Sequence, residues 1–336
     1  MADYRTPLPR RGPLYYNKAL ARMADLSSSV RGASCVVTGG AGFIGSHLTD
    51  ALAAAGARRI VVIDNLQSGR WEHIGAAAER ITADLAALTP ADLDRLLGGA
   101  DFLFHLAAEK HNSSKHDPQR VIEVNVQATL RLFATAAAAR LRGVIFTSSL
   151  YADGRVTLPP MREDDIPEPR TVYGISKLAG EHLLRHFDLP AVAFRLFFTY
   201  GPRQFAGSGY KSVIVSNFER ILRGEQPLIR GDGRQALDYI HVDDVVRALL
   251  LGTTGAANGE VVNIGSGAAV TICDLTAAML DVAGSSLQPA HAPADWTAGT
   301  HRVCDNGKAR RLLGWSPAVS LPAGLAGVHV WMKSQS

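Results

Sequence analysis

Residues 34–64, SCVVTGGAGFIGSHLTDALAAAGARRIVVID, restrict the fold more than any other part of the chain. A short apolar run, Cys35–Val37, opens into Gly39-x-x-Gly42-x-x-Gly45. An alanine-rich helical segment follows to Gly56, and a second apolar run, Ile60–Ile63, ends on Asp64. The order strand, helix, strand is that of a parallel βαβ unit. Each glycine has its own task there. Gly39 permits the tight turn off the strand, Gly42 lets a pyrophosphate approach the backbone with no Cβ in its way, and Gly45 lets the helix sit close to the sheet. The first helical turn, with Phe43 and Ile44, offers free N–H groups and the positive end of the helix dipole to phosphates. Asp64, with Asn65 beside it, stands where a carboxylate accepts hydrogen bonds from both ribose hydroxyls and repels a 2′-phosphate, which favours NAD over NADP.

Strand-like and helix-like segments alternate through the next 130 residues or so, the pattern of a parallel sheet covered on both faces. The strands expected are Cys35–Val37, Ile60–Ile63, Phe102–His105, Val144–Thr147 and Val192–Phe197, with helices at Gly45–Ala55, Pro90–Leu97, Pro118–Arg140 and Val172–His186. After Phe198 the texture changes: a Gly/Pro-rich loop, a helix near Val213–Arg223, the strand LDYIHV, helical Asp243–Leu251, the run VVNIGSG and a helix at Ile272–Val282. The expected fold class is α/β, a Rossmann-type doubly wound parallel sheet with a smaller C-terminal α/β substrate domain. The expected division is an arm over 1–32 with a short helix at Tyr15–Leu26, a cofactor domain over 33–200 and a substrate domain over 201–336, some of whose strands return to the main sheet.

The net charge of +4 invites a nucleic-acid reading, but basic and acidic residues are interspersed beyond Arg5, Arg10 and Arg11, and no basic stripe with interleaved aromatics appears. A preference for phosphorylated small molecules suits the composition better. No apolar stretch is long enough to cross a bilayer and the N-terminus lacks a signal-peptide segment, so the chain reads as cytoplasmic. Cys35, Cys273 and Cys304 are few and widely spaced, and all three are expected to be small core residues. His105, His111 and His116 lack the carboxylate or thiol partners of a metal site, and no metal is expected.

Tyr173 and Lys177 lie four residues apart in VYGISK and share a helix face. An ammonium beside a phenol stabilises the phenolate and lowers its pKa toward working pH, making Tyr173 a base. Upstream, VIFTSS ends a strand, so Ser149 stands at the sheet's C-terminal edge where it shares a substrate hydroxyl's proton with Tyr173. Thr147 and Ser148 compete for that role.

These stretches resemble the extended short-chain dehydrogenase/reductases, specifically the NAD-dependent sugar-nucleotide epimerase/dehydratase family that includes UDP-galactose 4-epimerase. Matching segments run from Ser34 to Trp315: TGGAGFIGSHL, DNLQSG, ADL, HLAAEK, NVQAT, TSS, YGISK, YGPRQ and DYIHVDDVV. The resemblance implies that Asp84 and Leu85 flank the adenine, that Leu106, Ala107 and Ala108 lie under the ribose and pyrophosphate, and that Lys110 reaches the nicotinamide ribose or the substrate side. It further implies that Asn125 supports the active-site backbone, that Ser149 is the catalytic hydroxyl, that Lys177 orients the nicotinamide ribose, and that a homodimer forms through the long helices after strands four and five.

The family's dehydratases carry an Asp-Glu pair after the serine; here Leu150 and Tyr151 stand there, unfit for that acid/base elimination. Epimerisation of a nucleotide-activated sugar, most economically at C4 through a transient keto intermediate, is the expected reaction. Three departures stand out. Ala152-Asp153-Gly154 replaces Val-Tyr-Gly, removing an aromatic wall; Phe198 replaces an asparagine; Leu237 replaces an arginine that grips the diphosphate. The last two remove charge-assisted hydrogen bonds worth about 1.5–3 kcal/mol each. Arg203, Lys211 and Arg302 are candidate compensating partners. The departures also motivate a rival reading, an NAD-dependent dehydrogenase or dehydratase acting on a sugar or cyclitol without a nucleotide diphosphate. A non-enzymatic NAD-binding scaffold would not need Ser149 and Lys177.

Overall fold

The computed structural model describes residues 28–154, 159–204, 211–295 and 297–335. The helix expected at Tyr15–Leu26 lies outside them, as does part of the Gly/Pro-rich loop after Phe198. The first unit runs β1 (Ser34–Thr38), α1 (Phe43–Ala54), β2 (Arg59–Asp64), β3 (Glu79–Thr82), α2 (Pro90–Leu97) and β4 (Phe102–His105). Next come α3 (Pro118–Ile122), a π-helical turn (Glu123–Ala128), α4 (Thr129–Ala138), β5 (Gly143–Ser149), α5 (Val172–His186), β6 (Ala191–Leu196) and β7 (Phe198–Tyr200). The remainder is α6 (Val213–Leu222), β8 (Leu228–Arg230), β9 (Ala236–Leu237), β10 (Tyr239–His241), α7 (Val242–Leu251), β11 (Val261–Ile264), β12 (Val270–Thr271), α8 (Ile272–Ala283), β13 (Ala290–Ala292), β14 (His301–Arg302), α9 (Gly307–Leu313) and α10 (Leu321–Gln335).

Seven strands form one parallel sheet in the order β11-β6-β5-β4-β1-β2-β3. Both faces are buried, so strand residues alternate between two apolar layers. Cys35, Val37, Phe102 and Phe104 pack with α1 and α7, whereas Val36, Leu103 and Phe146 pack with α2, α4 and α5. This is the expected Rossmann-type α/β fold. The chain beyond residue 200 contributes β11 and α7 to it, because apolar Val262 and Ile264 pair with the otherwise open edge of β6 and the buried face of α7 covers α1's layer. A separate apolar cluster, including Phe218, Ile229, Leu275, Met279 and Leu325, supports the short strands around the cleft.

Three sequence expectations are corrected. The edge strand β3 was not anticipated: with Glu79 and Arg80 exposed it lacks an apolar signature, as unpaired sheet edges do. The single helix expected over Pro118–Arg140 is interrupted by the π-helical turn, which carries Asn125 inward. Cys273 is exposed rather than core, because it opens α8 beside the Asp232–Gly233 turn; Cys35 and Cys304 are buried.

Helix α5 approaches β5 at Gly180, where an added Cβ would stand 2.5 Å from Cζ of Phe146. That ring is itself fixed between His105 and Phe133. Gly180→Ala should therefore lift α5 and cost about 1–3 kcal/mol, read as a lower urea midpoint with an unchanged slope. A midpoint equal to the parent's would show that the helix is not seated this tightly.

Candidate active site

The glycine turn is closed by backbone. Gly39 takes φ +69°, and a Cβ there would meet the amide of Ala107 at 2.7 Å; one on Gly45 would stand 2.2 Å from the Gly39 carbonyl. Gly45 thus packs the helix onto the turn itself rather than onto the sheet. Gly42 is the N-cap of α1, and the helix has neither a side-chain cap nor an acidic residue in its first turn. By contrast α2, α5, α6, α7 and α8 all have side-chain caps. Free N–H groups at a bare helix start suit a pyrophosphate.

Asp64 ends β2 with its carboxylate fixed by the amides of Ala41 (3.0 Å) and Leu66 (2.8 Å). A Cβ on Gly69 would stand 2.7 Å from its Oδ1, so that glycine keeps the space beside the acid open. Asn65 accepts from the Gln67 amide and shapes the same loop. Lys110 donates to Ser68 at 2.8 Å, spanning from the β4 loop to the β2 loop. Leu106 and Ala107 hang their amides on Thr38. Ala108 is half-buried beside them, and Phe43 and Ile44 pack on the core from the first turn of α1. Asp84 pairs with Arg120, while Leu85 turns its side chain into the core. An NAD molecule fits these residues: the turn leaves room only for glycine, the helix start is uncapped, and an acid stands at the end of β2.

Three residues converge at the C-terminal end of β5. Ser149 lies against the Tyr173 phenol, whereas Thr147 donates to the His105 carbonyl and Ser148 to Glu181. The two competing hydroxyls are thus spoken for, and Ser149 is the one facing the phenol. Lys177 donates to the Thr147 carbonyl at 2.9 Å and lies 5.8 Å from the Tyr173 ring centre. Burial pushes its ammonium down to about 7, with Glu181 opposing. Burial raises the Tyr173 phenol above its ordinary value, and the Ser149 hydroxyl acts the other way. Without a bound cation the phenol is therefore held neutral, contrary to the lowering expected from Lys177 alone. Asn125 accepts from the Glu109 amide and donates to the Glu109 carbonyl and to Ser176, tying the π-helical turn to the β4 loop and α5.

A cleft of about 550 Å³ is lined by His111 and Tyr151, whose rings lie edge-on to Tyr173, and by Phe198, Lys211, Leu237 and Tyr239 among others. An aromatic surface at the neighbouring position, Tyr151, borders the cleft. Tyr151 stacks on His111 at 4.5 Å and lies edge-on to Tyr173 at 5.9 Å. Neither residue was singled out for this wall, because their stacking joins loops forty residues apart in sequence.

The three candidate cations divide. Arg203 does not face the cleft: at φ +64° the chain turns its guanidinium to Asp50 on α1, 2.8 Å away. Lys211 reaches the cleft but is held by Glu219 at 2.6 Å. Arg302 lies with its guanidinium 5.3 Å from the Tyr151 ring centre, and its buried Nε and Nη1 have no hydrogen-bond partner. His105 is buried between Thr38 and Thr129, and burial pushes its pKa down to about 3. Among the described residues no cluster of His, Cys, Asp or Glu is arranged for a metal.

The NAD dependent epimerase/dehydratase family profile matches residues 35–265. A UDP-glucose 4-epimerase of Mycolicibacterium smegmatis is 34% identical over 313 residues, spanning 90% of this chain and 99% of that protein. A solved UDP-N-acetylglucosamine 4-epimerase from Methanobrevibacter ruminantium, in complex with UDP-N-acetylmuramic acid, superposes with a TM-score of 0.86 at 32% identity. It covers 91% of this chain and 100% of that one. A UDP-glucuronic acid 4-epimerase from Bacillus cereus, in complex with UDP-glucuronic acid and NAD, gives a TM-score of 0.79 at 30% identity over 90% of this chain and 100% of that one. Because the family profile runs from the strand before the glycine turn through the strand that closes the sheet, the chain belongs to the NAD dependent epimerase/dehydratase family and takes NAD as its cofactor.

Proposed function

We propose that this protein is an NAD-dependent epimerase of a nucleotide-activated sugar, inverting C4 through a transient keto intermediate. The observation that carries the reading is the Ser149–Tyr173–Lys177 set beside a cleft whose volume, about 550 Å³, falls within the usual range for ligand sites. Bound NAD supplies the acceptor and then the donor of the hydride. Tyr173, assisted by Ser149, takes the proton of the C4 hydroxyl and later returns it to the opposite epimer, so no net redox change occurs. Lys177 orients the nicotinamide ribose and supports the Tyr173 phenolate once a cationic ring offsets the burial of that phenol. Leu150 is buried and Tyr151 is stacked, so neither offers the carboxyl groups that elimination of water would need at that point.

Arg302 is the favoured partner of the substrate's diphosphate. It stands in register with Leu237 on the adjacent strand, and its unpartnered nitrogens are donors that a phosphate oxygen would satisfy. This supports a substrate that carries a nucleotide diphosphate over one that lacks it. Residues 33–200 hold the cofactor in this reading and residues 201–336 supply most of the substrate walls.

A cytoplasmic homodimer completes the proposal. Two observations support it: Leu130 on α4 and Ile175 on α5 are 42% and 48% exposed, and all three cysteines are free thiols. Among the described residues no helix is long and apolar enough to cross a membrane. Light scattering should give twice the chain mass, and a Leu130→Glu, Ile175→Glu double variant should give the chain mass itself; a monomeric parent would remove the dimer.

Tyr173→Phe should lower kcat for interconversion of UDP-sugar C4 epimers about 10²–10⁴-fold, followed by chromatography and NMR of UDP-glucose and UDP-N-acetylglucosamine. An unimpaired variant would refute the mechanism. Arg302→Met should raise KM at least about tenfold, corresponding to 1.5–3 kcal/mol, with a smaller change in kcat. An unchanged KM would take Arg302 out of the site.

A further inference from the structure

Four charged side chains lie buried together next to Ser149 and Tyr173. Arg195 sits on β6 in register with Ser148. Its Nε and Nη2 donate to the two carboxylate oxygens of Glu181 on α5 at 2.9 and 2.8 Å, and its Nη1 donates to Asp153. Asp153 follows the short 3-10 turn Leu150–Ala152 that leaves Ser149. Lys177 lies one helical turn before Glu181 and is 3% exposed, as are Arg195 and Glu181, with Asp153 at the same level. With every group ionised the four charges cancel. Without the Asp153 charge, the neutral Arg195–Glu181 pair leaves the Lys177 ammonium unbalanced in a dry interior.

We propose that Asp153 is a positioning residue that keeps Lys177 protonated: its carboxylate shares Arg195 with Glu181, and so leaves Glu181 negative enough to support the ammonium. The inference rests on the role given to Lys177 above and adds a residue that touches neither cofactor nor sugar. Asp153 has one carboxylate oxygen, Oδ2, buried with no hydrogen-bond partner. A group kept only for hydrogen bonding would not bury an unpartnered carboxylate oxygen, because that costs free energy with no local return.

The groups facing this relay are few. Arg195 from β6, Glu181 from α5 and Asp165 from the loop before α5 act on Asp153; burial brings it up to about 7, with Arg195 opposing and Glu181 and Asp165 adding to the rise. Lys177 meets Glu181 and the Tyr173 ring, 5.8 Å away, on its own helix, and on β4 it faces His105; burial keeps the phenol and the imidazole neutral at working pH. Both ends of the relay therefore change charge near neutrality. The sign follows from Lys177. Its ammonium exists below its pKa, so removing Asp153 lowers that pKa and moves the loss of function to lower pH.

The test uses the full-length protein and two readouts over about pH 5–11, a window spanning the ordinary lysine and shifted values. One is NAD+ affinity by calorimetry, which needs no sugar; the other is the C4 epimerisation rate. Asp153→Asn should move the alkaline limb of both profiles down by about one pH unit, roughly a fivefold loss at the parent's midpoint that approaches tenfold above it, and Asp153→Glu should restore it. A lowered rate with unmoved limbs would reduce Asp153 to a packing role. A moved NAD+ limb with no sugar epimerised would sink the proposed function and leave this inference standing. Arg195 keeps Glu181 as a partner in Asp153→Asn and in the smaller Asp153→Ser, so both should fold. If both unfold, Asp153 is a structural clamp and the proposal is overturned.

Discussion

The site depends on how closely α5 lies against β5. Gly180 lets the helix rest on the Phe146 ring, and at Gly174 a Cβ would come within 2.2 Å of the Tyr151 carbonyl. Side chains longer than glycine at either place would push the helix outward. Between those two contacts Lys177 reaches the Thr147 carbonyl, and just before them Tyr173 lies against Ser149. The helix also carries Glu181 to Arg195 and Ser148. One packing distance therefore places the phenol, the ammonium, the hydroxyl and the ion cluster relative to one another. Catalytic geometry of this kind comes from stiff elements held at a fixed separation, with no adjustment by a mobile loop.

Much of this was legible in the chain because it is local. The glycine spacing, the acid after β2, and Tyr173 and Lys177 at helical spacing each need fewer than about thirty residues of sequence to be recognised. The bounds of α2 and α5 agree with the expected Pro90–Leu97 and Val172–His186, since Thr89 and Thr171 cap them from one residue upstream. What could not be read joins distant segments. The His111–Tyr151 stack, the orientation of Arg203 toward Asp50 and the pairing of Arg195 with Asp153 depend on loops and strands meeting only after folding. The π-helical turn at Asn125 was hidden for a different reason. Its composition is that of an ordinary helix, and the irregularity follows from the side chain's grip on the Glu109 backbone.

Electrostatics in the buried site runs against the simplest sequence rule. A lysine near a tyrosine should lower the phenol's pKa, yet burial acts on both groups and favours the neutral form of each. The pair is left poised, with a phenol above its usual range and an ammonium near neutrality. A cationic ring placed over the phenol would then do more than it could in water, because the same low dielectric that disfavours isolated charge strengthens a compensated one. In the proposed mechanism cofactor binding and base activation are in this way a single event.

On the proposed reading the substrate side has a charge relocated rather than lost. Leu237 on β9 brings an apolar side chain to the cleft where the family resemblance implies an arginine, while Arg302 stands beside it on β14. Neighbours in register on parallel strands project to the same face, so a guanidinium can serve one region from either strand. The move has consequences for its surroundings. Arg302 is partly sheltered against Tyr151, and burial lowers its pKa, with Tyr151 opposing; two of its nitrogens have no protein partner. An arginine satisfied by the protein would hold its place with or without substrate. One left with bare donors gains most of its stabilisation when an anion arrives, which ties the order of this wall to the presence of a phosphorylated ligand.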